Sequence, residues 1–277
     1  MRLSVTISSS TGNAVIPINY AYPISAVIYK ILSRADKEYA DFLHEKGYAQ
    51  ANSLKAFKLF SCSDINTPFK IVGDRLHLLT TEAVFKVSFH IPQAAESFVK
   101  GLFLQQKIEI ADRSSRADFI VSQVELLPPV FPEALERKEI HELLLHPLSP
   151  VVCGFKKDTP HYKYLSPEDT DFVWLILHNW KEKYTALYGS EKAAIDFADA
   201  DLEVILYNNP PKARLVTIKA GTPAETKVRG YTNFRMLVRG RQEVLELLLD
   251  TGVGLYNSLC MGAVEGTYQR QLSTSVK

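Results

Sequence analysis

The chain has 277 residues, 46% of them hydrophobic, and a formal net charge of +1, which is ordinary globular material for one large domain or two compact ones. No run of about 18 or more apolar residues is present, which argues against a membrane span. The N-terminus, Met1-Arg-Leu-Ser-Val-Thr-Ile-Ser8, alternates as a strand and lacks the apolar core of a signal peptide, so a cytoplasmic protein is expected. Cys62, Cys153 and Cys260 are odd in number and lack CxxC spacing, so neither a disulfide framework nor a zinc site is expected. No cluster of His, Asp, Glu or Cys has ligand spacing, so no metal site is expected, nor is a cofactor.

In chain order, Tyr22-Pro23 opens a helix over 24–32 with Ile24, Val27, Ile28, Ile31 and Leu32 as its apolar stripe. At about 100° per residue, Tyr29 lies roughly 130° from the middle of that stripe and faces away from the core. Asp36 caps a second helix, buried through Tyr39, Phe42 and Leu43 and stopped by Gly47. His44 lies about 145° off its buried face. It sits in the last turn, where the helix dipole favours an imidazolium; such an exposed histidine is most simply a surface residue. Residues 55–63 read as a strand with Phe57, Leu59 and Ser61 on one face and Lys58 and Phe60 on the other, so Lys58 is expected on a sheet. More strand follows over 76–88, then a helix over 92–104 and a hairpin over 107–126. This strand and helix order is β-α-β-β-α-β, an α+β, ferredoxin-like pattern.

Three prolines in 128–132 mark a linker, giving domains at 1–127 and 139–277 joined by 128–138. Beyond it, Ser166-Pro167-Glu168-Asp169 reads as a helix start, followed by a stripe of Phe172, Val173, Ile176, Trp180 and Tyr184. Strands at 202–206, 214–219 and 227–238 and a helix around Leu245 repeat the element order of the first half, without a residue-level repeat.

Residues 212–241 carry eight basic side chains against one acid, Glu225, a local charge of +7, so the rest of the chain sums to −6. Within this stretch Lys227, Arg229, Tyr231, Asn233, Arg235 and Arg239 share one strand face, unless a bulge at Gly230 breaks the register. The charged face feeds a helix over 241–250 and then Gly252-Val-Gly254-Leu-Tyr-Asn257-Ser258-Leu-Cys-Met-Gly262. One glycine suffices to cap a helix. Three glycines around an Asn-Ser pair leave bare backbone that a phosphate-bearing chain could approach closely.

This constellation resembles the CRISPR-associated repeat-processing endoribonucleases of the RAMP superfamily, over nearly the whole chain. The glycine-rich motif of that family is matched by Gly252, Gly254 and Gly262, with Asn257 and Ser258 between them; Cys260 stands where the family usually has a third glycine, and a non-glycine residue resists positive φ. Ile28-Tyr29, Leu43-His44 and Lys58-Leu59-Phe60 are similar to the signatures of the tyrosine, histidine and lysine of the family's metal-free catalytic centre. The resemblance implies two tandem ferredoxin-like (RRM-like) domains with a C-terminal glycine-rich loop. It also implies attack of a ribose 2′-OH on the adjacent phosphodiester of CRISPR repeat RNA, single-stranded or in a short hairpin. Catalysis then falls to Tyr29, His44 and Lys58, and RNA contact to Lys227, Arg229, Tyr231, Arg235 and the loop residues Gly252, Gly254, Asn257, Ser258 and Gly262. Other CRISPR effector subunits and a second copy of the chain are the protein partners to consider. Two alternatives stay open: a non-catalytic RNA-binding subunit of an effector complex, and a small-molecule enzyme on the same scaffold. The second is opposed by the absence of a P-loop, an HExxH motif or clustered carboxylates.

Overall fold

The computed structural model describes residues 1–9, 12, 14–50, 53, 55–132, 139–156 and 162–269. Residues 133–138 of the expected linker and 270–277 at the C-terminus lie outside this set.

The N-terminal half is built on strand Arg2–Ser9, whose strict alternation buries Leu3, Val5 and Ile7. It runs antiparallel between Glu82–Phe89 and Arg116–Leu126, and the full sheet order is Phe60–Cys62, Glu82–Phe89, Arg2–Ser9, Arg116–Leu126, Lys107–Ala111. Helices α1 (Ala21–Ala35), α2 (Lys37–Glu45) and α3 (Pro92–Leu104) complete this half. Gly101 lets α1 and α3 touch closely, since a Cβ there would fall 2.0 Å from the Ile31 carbonyl oxygen.

In the C-terminal half, α4 (Phe172–Tyr188), the short α5 (Ser190–Asp196) and α6 (Gln242–Thr251) accompany a four-stranded sheet. Its order is Asp201–Leu206, Phe234–Arg241, Ile140–Pro147, Val264–Gln269. Numbered within each half and setting aside the Lys107–Ala111 edge, both sheets run second, third, first, fourth strand. The molecule is therefore two tandem ferredoxin-like folds.

Several expectations need correction. The stretch 227–238 is not one strand. Thr226–Thr232 pairs with Lys212–Ile218 in a separate hairpin, while Phe234–Arg241 is an inner strand of the C-terminal sheet. The break falls at Asn233, not at Gly230; Asn233 has φ 64°, and asparagine tolerates that left-handed conformation better than most residues. Ser166–Asp169 is a turn rather than the first turn of α4, because the Asp169 carboxylate accepts from the Ser166 N–H at 2.6 Å and the helix begins only at Phe172.

Residues 55–63 are likewise two short strands, Ala56–Phe57 and Phe60–Cys62, and Lys58 lies in the break between them. Leu59 is left-handed at φ 54°. Phe57 and Leu59 pack into the C-terminal core, whereas Phe60 and Cys62 pack into the N-terminal one. The chain crosses from one core to the other there, and a regular strand cannot do so in so few residues. Finally, Cys62 and Cys260 form a disulfide across 198 residues of sequence, against the expectation of none; Cys153 is a buried free thiol. Spacing along the chain carries no information about this pair, because only the docking of the two halves brings them together.

Other bonds tie the halves at the same junction. Arg214 makes a two-pronged ion pair with Asp64, both contacts at 2.6 Å, Ser61 Oγ donates to the Asp250 carbonyl at 3.2 Å, and the buried Ser149 Oγ donates to the Cys62 carbonyl at 3.2 Å.

Candidate active site at the junction of the two halves

Helix α1 carries Tyr29 half-buried at the edge of the N-terminal core, where its ring meets Phe60 edge-on with centroids 5.5 Å apart. Helix α2 starts at Asp36, whose carboxylate accepts from the Tyr39 N–H at 2.9 Å, and its last turn presents an exposed His44. The Tyr29 and His44 rings meet at 5.5 Å and 86°. Gly47, with φ 69°, then turns the chain away; a Cβ there would sit 2.6 Å from the Phe57 carbonyl oxygen and 3.0 Å from Lys58 Cδ. The glycine therefore leaves the path along which Lys58 reaches back, and Lys58 Nζ donates to the His44 carbonyl at 3.0 Å. A helix C-terminus attracts a cation, so the lysine is held where the α2 dipole is negative. Three elements thus bring Tyr29, His44 and Lys58 to one corner.

The glycine-rich loop closes this corner from the other half. Ser25 Oγ in α1 donates to the Ser258 carbonyl at 2.6 Å. The Tyr29 phenol is pushed up to about 12 by burial, with a hydrogen bond from the Ser258 side chain opposing the rise. Burial also lowers the Lys58 ammonium from its ordinary value. Beside them opens a cleft of about 210 Å³, lined among others by Lys55, Lys58, Asn179, Lys183, Tyr256 and Asn257.

Within the loop the glycines serve packing. Gly252, Gly254 and Gly262 have φ values of 77°, 73° and 69°, and all three are buried. A Cβ at Gly262 would lie 1.9 Å from the Val253 carbonyl oxygen, at Gly254 2.2 Å from that of Val152, and at Gly252 2.7 Å from that of Gly262. Their bare faces therefore meet protein backbone, contrary to the expectation that they stand open to a phosphate. The half-exposed residues are Leu255 to Leu259, among them Asn257 and Ser258. Cys260 is left-handed at φ 58°, the conformation that a glycine would take without strain, and its sulfur is tied to Cys62.

The expected RNA-contacting side chains do not form one face. Lys227 and Arg229 are exposed on the hairpin, and neither has a carboxylate partner among the described residues. Tyr231, in the same strand, is half-buried and exchanges both backbone hydrogen bonds with Val151 at 2.9 Å. The neighbouring Val152 carbonyl accepts from the Leu255 N–H at 2.8 Å, so hairpin and glycine loop flank one short segment. Arg235 lies on the other sheet with its guanidinium over the Tyr207 ring at 4.9 Å. Three of the eight basic residues are paired to distant acids: Arg214 to Asp64, Arg239 to Glu142 at 2.6 Å and Arg241 to Asp196 at 2.7 Å.

Sequence reasoning missed Lys55 and Lys183. Lys183 lies on the buried face of α4 with Phe172, Ile176 and Trp180, and a lysine three residues after a core tryptophan was the available signal. Burial, with a smaller push from the Lys55 charge, brings its ammonium down to about 7.

Comparison with known proteins supplies the lineage. Residues 15–125 match the family described as CRISPR-associated protein Cas6, N-terminal, and residues 133–266 match CRISPR associated protein Cas6, C-terminal. The chain is 23% identical over 253 residues to the CRISPR-associated endoribonuclease Cas6 of Pyrococcus furiosus, covering 90% of this chain and 83% of that one. It is 24% identical over 217 residues to CRISPR-associated endoribonuclease Cas6 1 of Methanocaldococcus jannaschii, covering 78% and 76%. A solved structure of a Cas6-related protein from Pyrococcus furiosus superposes with a TM-score of 0.73 at 19% identity, covering 98% of this chain and 99% of the other. With both halves matched in order and the tandem fold shared along the length, the chain belongs to the Cas6 family of CRISPR-associated endoribonucleases.

Proposed function

We propose that this endoribonuclease cuts the repeats of a CRISPR precursor transcript by 2′-OH attack, with Tyr29, His44 and Lys58 as its catalytic residues. The observation that carries the reading is the convergence of these three side chains, from α1, α2 and the crossing between the cores, on one corner beside the loop. The 2′ oxygen attacks the adjacent phosphorus and the bond from phosphorus to the 5′ oxygen breaks. The products end in a 2′,3′-cyclic phosphate and a 5′-OH. The nucleophile is already attached to the substrate, so the protein has only to orient it, move two protons and stabilise charge.

Imidazole is the side chain suited to exchange protons near neutrality, and His44 takes that role. Lys58, a point charge anchored on the α2 terminus, stabilises the pentacovalent phosphorane. Tyr29, with its phenol pushed up to about 12, stays protonated and orients the 2′-OH by hydrogen bonding rather than acting as the base. Lys227, Arg229, Tyr231 and Arg235, with Asn257 and Ser258, hold the RNA, and Gly252, Gly254 and Gly262 support the loop beneath it. We place the domain boundary in 128–138 and the protein in the cytoplasm. Among the described residues no helix is long and apolar enough to cross a membrane.

The test is cleavage of a panel of repeat RNAs in EDTA, with the ends mapped. The reading requires a cyclic phosphate, undiminished rate with chelator, and complete loss with one 2′-deoxy substitution at the cut. Cleavage of the deoxy substrate, or activity lost in EDTA and restored by magnesium, overturns it.

A further inference from the structure

Among the described residues, Lys183 has only neutral partners for its amine. Its side chain is 2% exposed, and Nζ donates to the Gly252 carbonyl and to Asn257 Oδ1, both at 2.7 Å. An amine so deeply buried is costly to keep charged, so its position asks for a reason. The bonds that continue from it give one. Asn257 Nδ2 donates to the Val253 and Met261 carbonyls, each at 3.0 Å, and so straps the two arms of the glycine-rich loop together. One amide thus has its oxygen held by Lys183 and both its hydrogens used across the loop. The next residue, Ser258, is fixed to α1 through Ser25, which lies one turn before Tyr29 on that helix.

We propose that Lys183 is a positioning residue for the cleavage reaction: through Asn257 it fixes the loop at Ser258 against α1, and with it the surroundings of Tyr29 on that helix. Its value for the loop rests on the reading of Tyr29 as part of the catalytic corner. Without the ammonium, Asn257 Oδ1 and the Gly252 carbonyl lose a shared donor in a buried place, and the strap loosens. A displaced Tyr29 orients the 2′-OH poorly, which lowers the rate of the bound complex, while the charged contacts of the hairpin, which dominate RNA affinity over the loop's neutral ones, stay as they were.

Lys183→Met, close in shape and without donors, is the first variant, and Lys183→Gln the second should the methionine form not fold. Three readings are taken: thermal melting, single-turnover cleavage across RNA concentration, and the ¹³Cζ resonance of Tyr29 in tyrosine-labelled protein, assigned with Tyr29→Phe. We expect a folded variant whose maximal rate falls on the order of 10²-fold while the half-saturating RNA concentration moves less than about threefold, the pattern of a misplaced group. The Tyr29 resonance should shift, and propylamine, but not propanol, should restore part of the rate in Lys183→Ala. A folded variant with unchanged rate and unmoved resonance overturns the proposal. So does a loss confined to melting temperature or RNA affinity. Should the wild-type protein leave repeat RNA intact, the nuclease reading fails by itself, and the Tyr29 resonance still decides whether Lys183 positions the loop.

Discussion

Reducing the Cys62–Cys260 bond should destabilise the protein strongly, because it closes a loop of 198 residues between the two halves. In the chain-entropy account, cross-linking removes conformations from the unfolded chain, and a loop of this length corresponds to about 5 kcal/mol at 25 °C. With a urea slope near the upper end for single domains, about 3 kcal/mol per molar, the midpoint should fall by roughly 2 M. The assay is urea unfolding followed by far-UV circular dichroism, with and without TCEP, on the same preparation. A thiol count in denaturant accompanies it, with one reactive thiol, from Cys153, expected before reduction and three after. Three thiols in the unreduced protein would refute the pairing. One thiol with a midpoint unmoved by TCEP would refute the reasoning, for then the unfolded chain is not what the bond constrains.

His44→Ala should slow cleavage by on the order of 10²-fold or more with RNA affinity retained, measured by single-turnover kinetics beside a filter-binding titration. Lys227→Ala combined with Arg229→Ala should weaken binding to all repeat variants alike and lower the slope of log affinity against log salt by about 1.4, two contacts to single-stranded RNA at about 0.7 each. Gly254→Val should lower the melting temperature and leave that slope unchanged, since its Cβ would meet the Val152 carbonyl oxygen at 2.2 Å from a backbone with φ 73°. Lys183, brought down to about 7 when folded from 10.5, is deprotonated above pH 7 only in the folded chain. The unfolded chain therefore binds the extra proton between these values, stability rises with pH from about 7 to 10, and the cost is fully present below 7. Between pH 7 and 9 this amounts to at most about 2–3 kcal/mol, and the Lys183→Met unfolding curves should lack that rise.

The element order was legible because strand alternation and helical stripes repeat locally. Arg2–Ser9, the helix Pro92–Leu104 and the pair Lys107–Ala111 and Arg116–Leu126 follow their patterns closely. Tyr29 and His44 were visible as off-core residues for the same reason. What stayed hidden depends on tertiary neighbours. Leu59 and Asn233 adopt left-handed backbone where the chain changes core or sheet, which periodicity reads as continuous strand. The positive stretch at 212–241 is partly neutralised by Asp64, Glu142 and Asp196, each far away in sequence. Lys183 escaped notice because an apolar stripe was read through it, although a lysine at a core position is a stronger signal than the stripe itself.

The junction explains why the candidate site sits where two cores meet rather than on either sheet. Lys58 is flanked by Phe57 and Leu59 in the C-terminal core and followed at once by Phe60 in the N-terminal core, so its backbone is fixed by both halves together. Tyr29 and His44 belong to the N-terminal half alone, and Ser258 meets α1 from the C-terminal half through Ser25. Any rotation of one half against the other would therefore move Lys58 and Ser258 relative to Tyr29 and His44, and misplacement by about 1 Å is enough to cost a large part of a rate. The bonds that oppose such rotation lie around that same point: Cys62 to Cys260, Asp64 to Arg214, and Ser61 to the Asp250 carbonyl in the last turn of α6. Each reaches out from residues 61–64, the continuation of the strand that begins just after Lys58. The docking of the halves is thus part of the geometry of the candidate site.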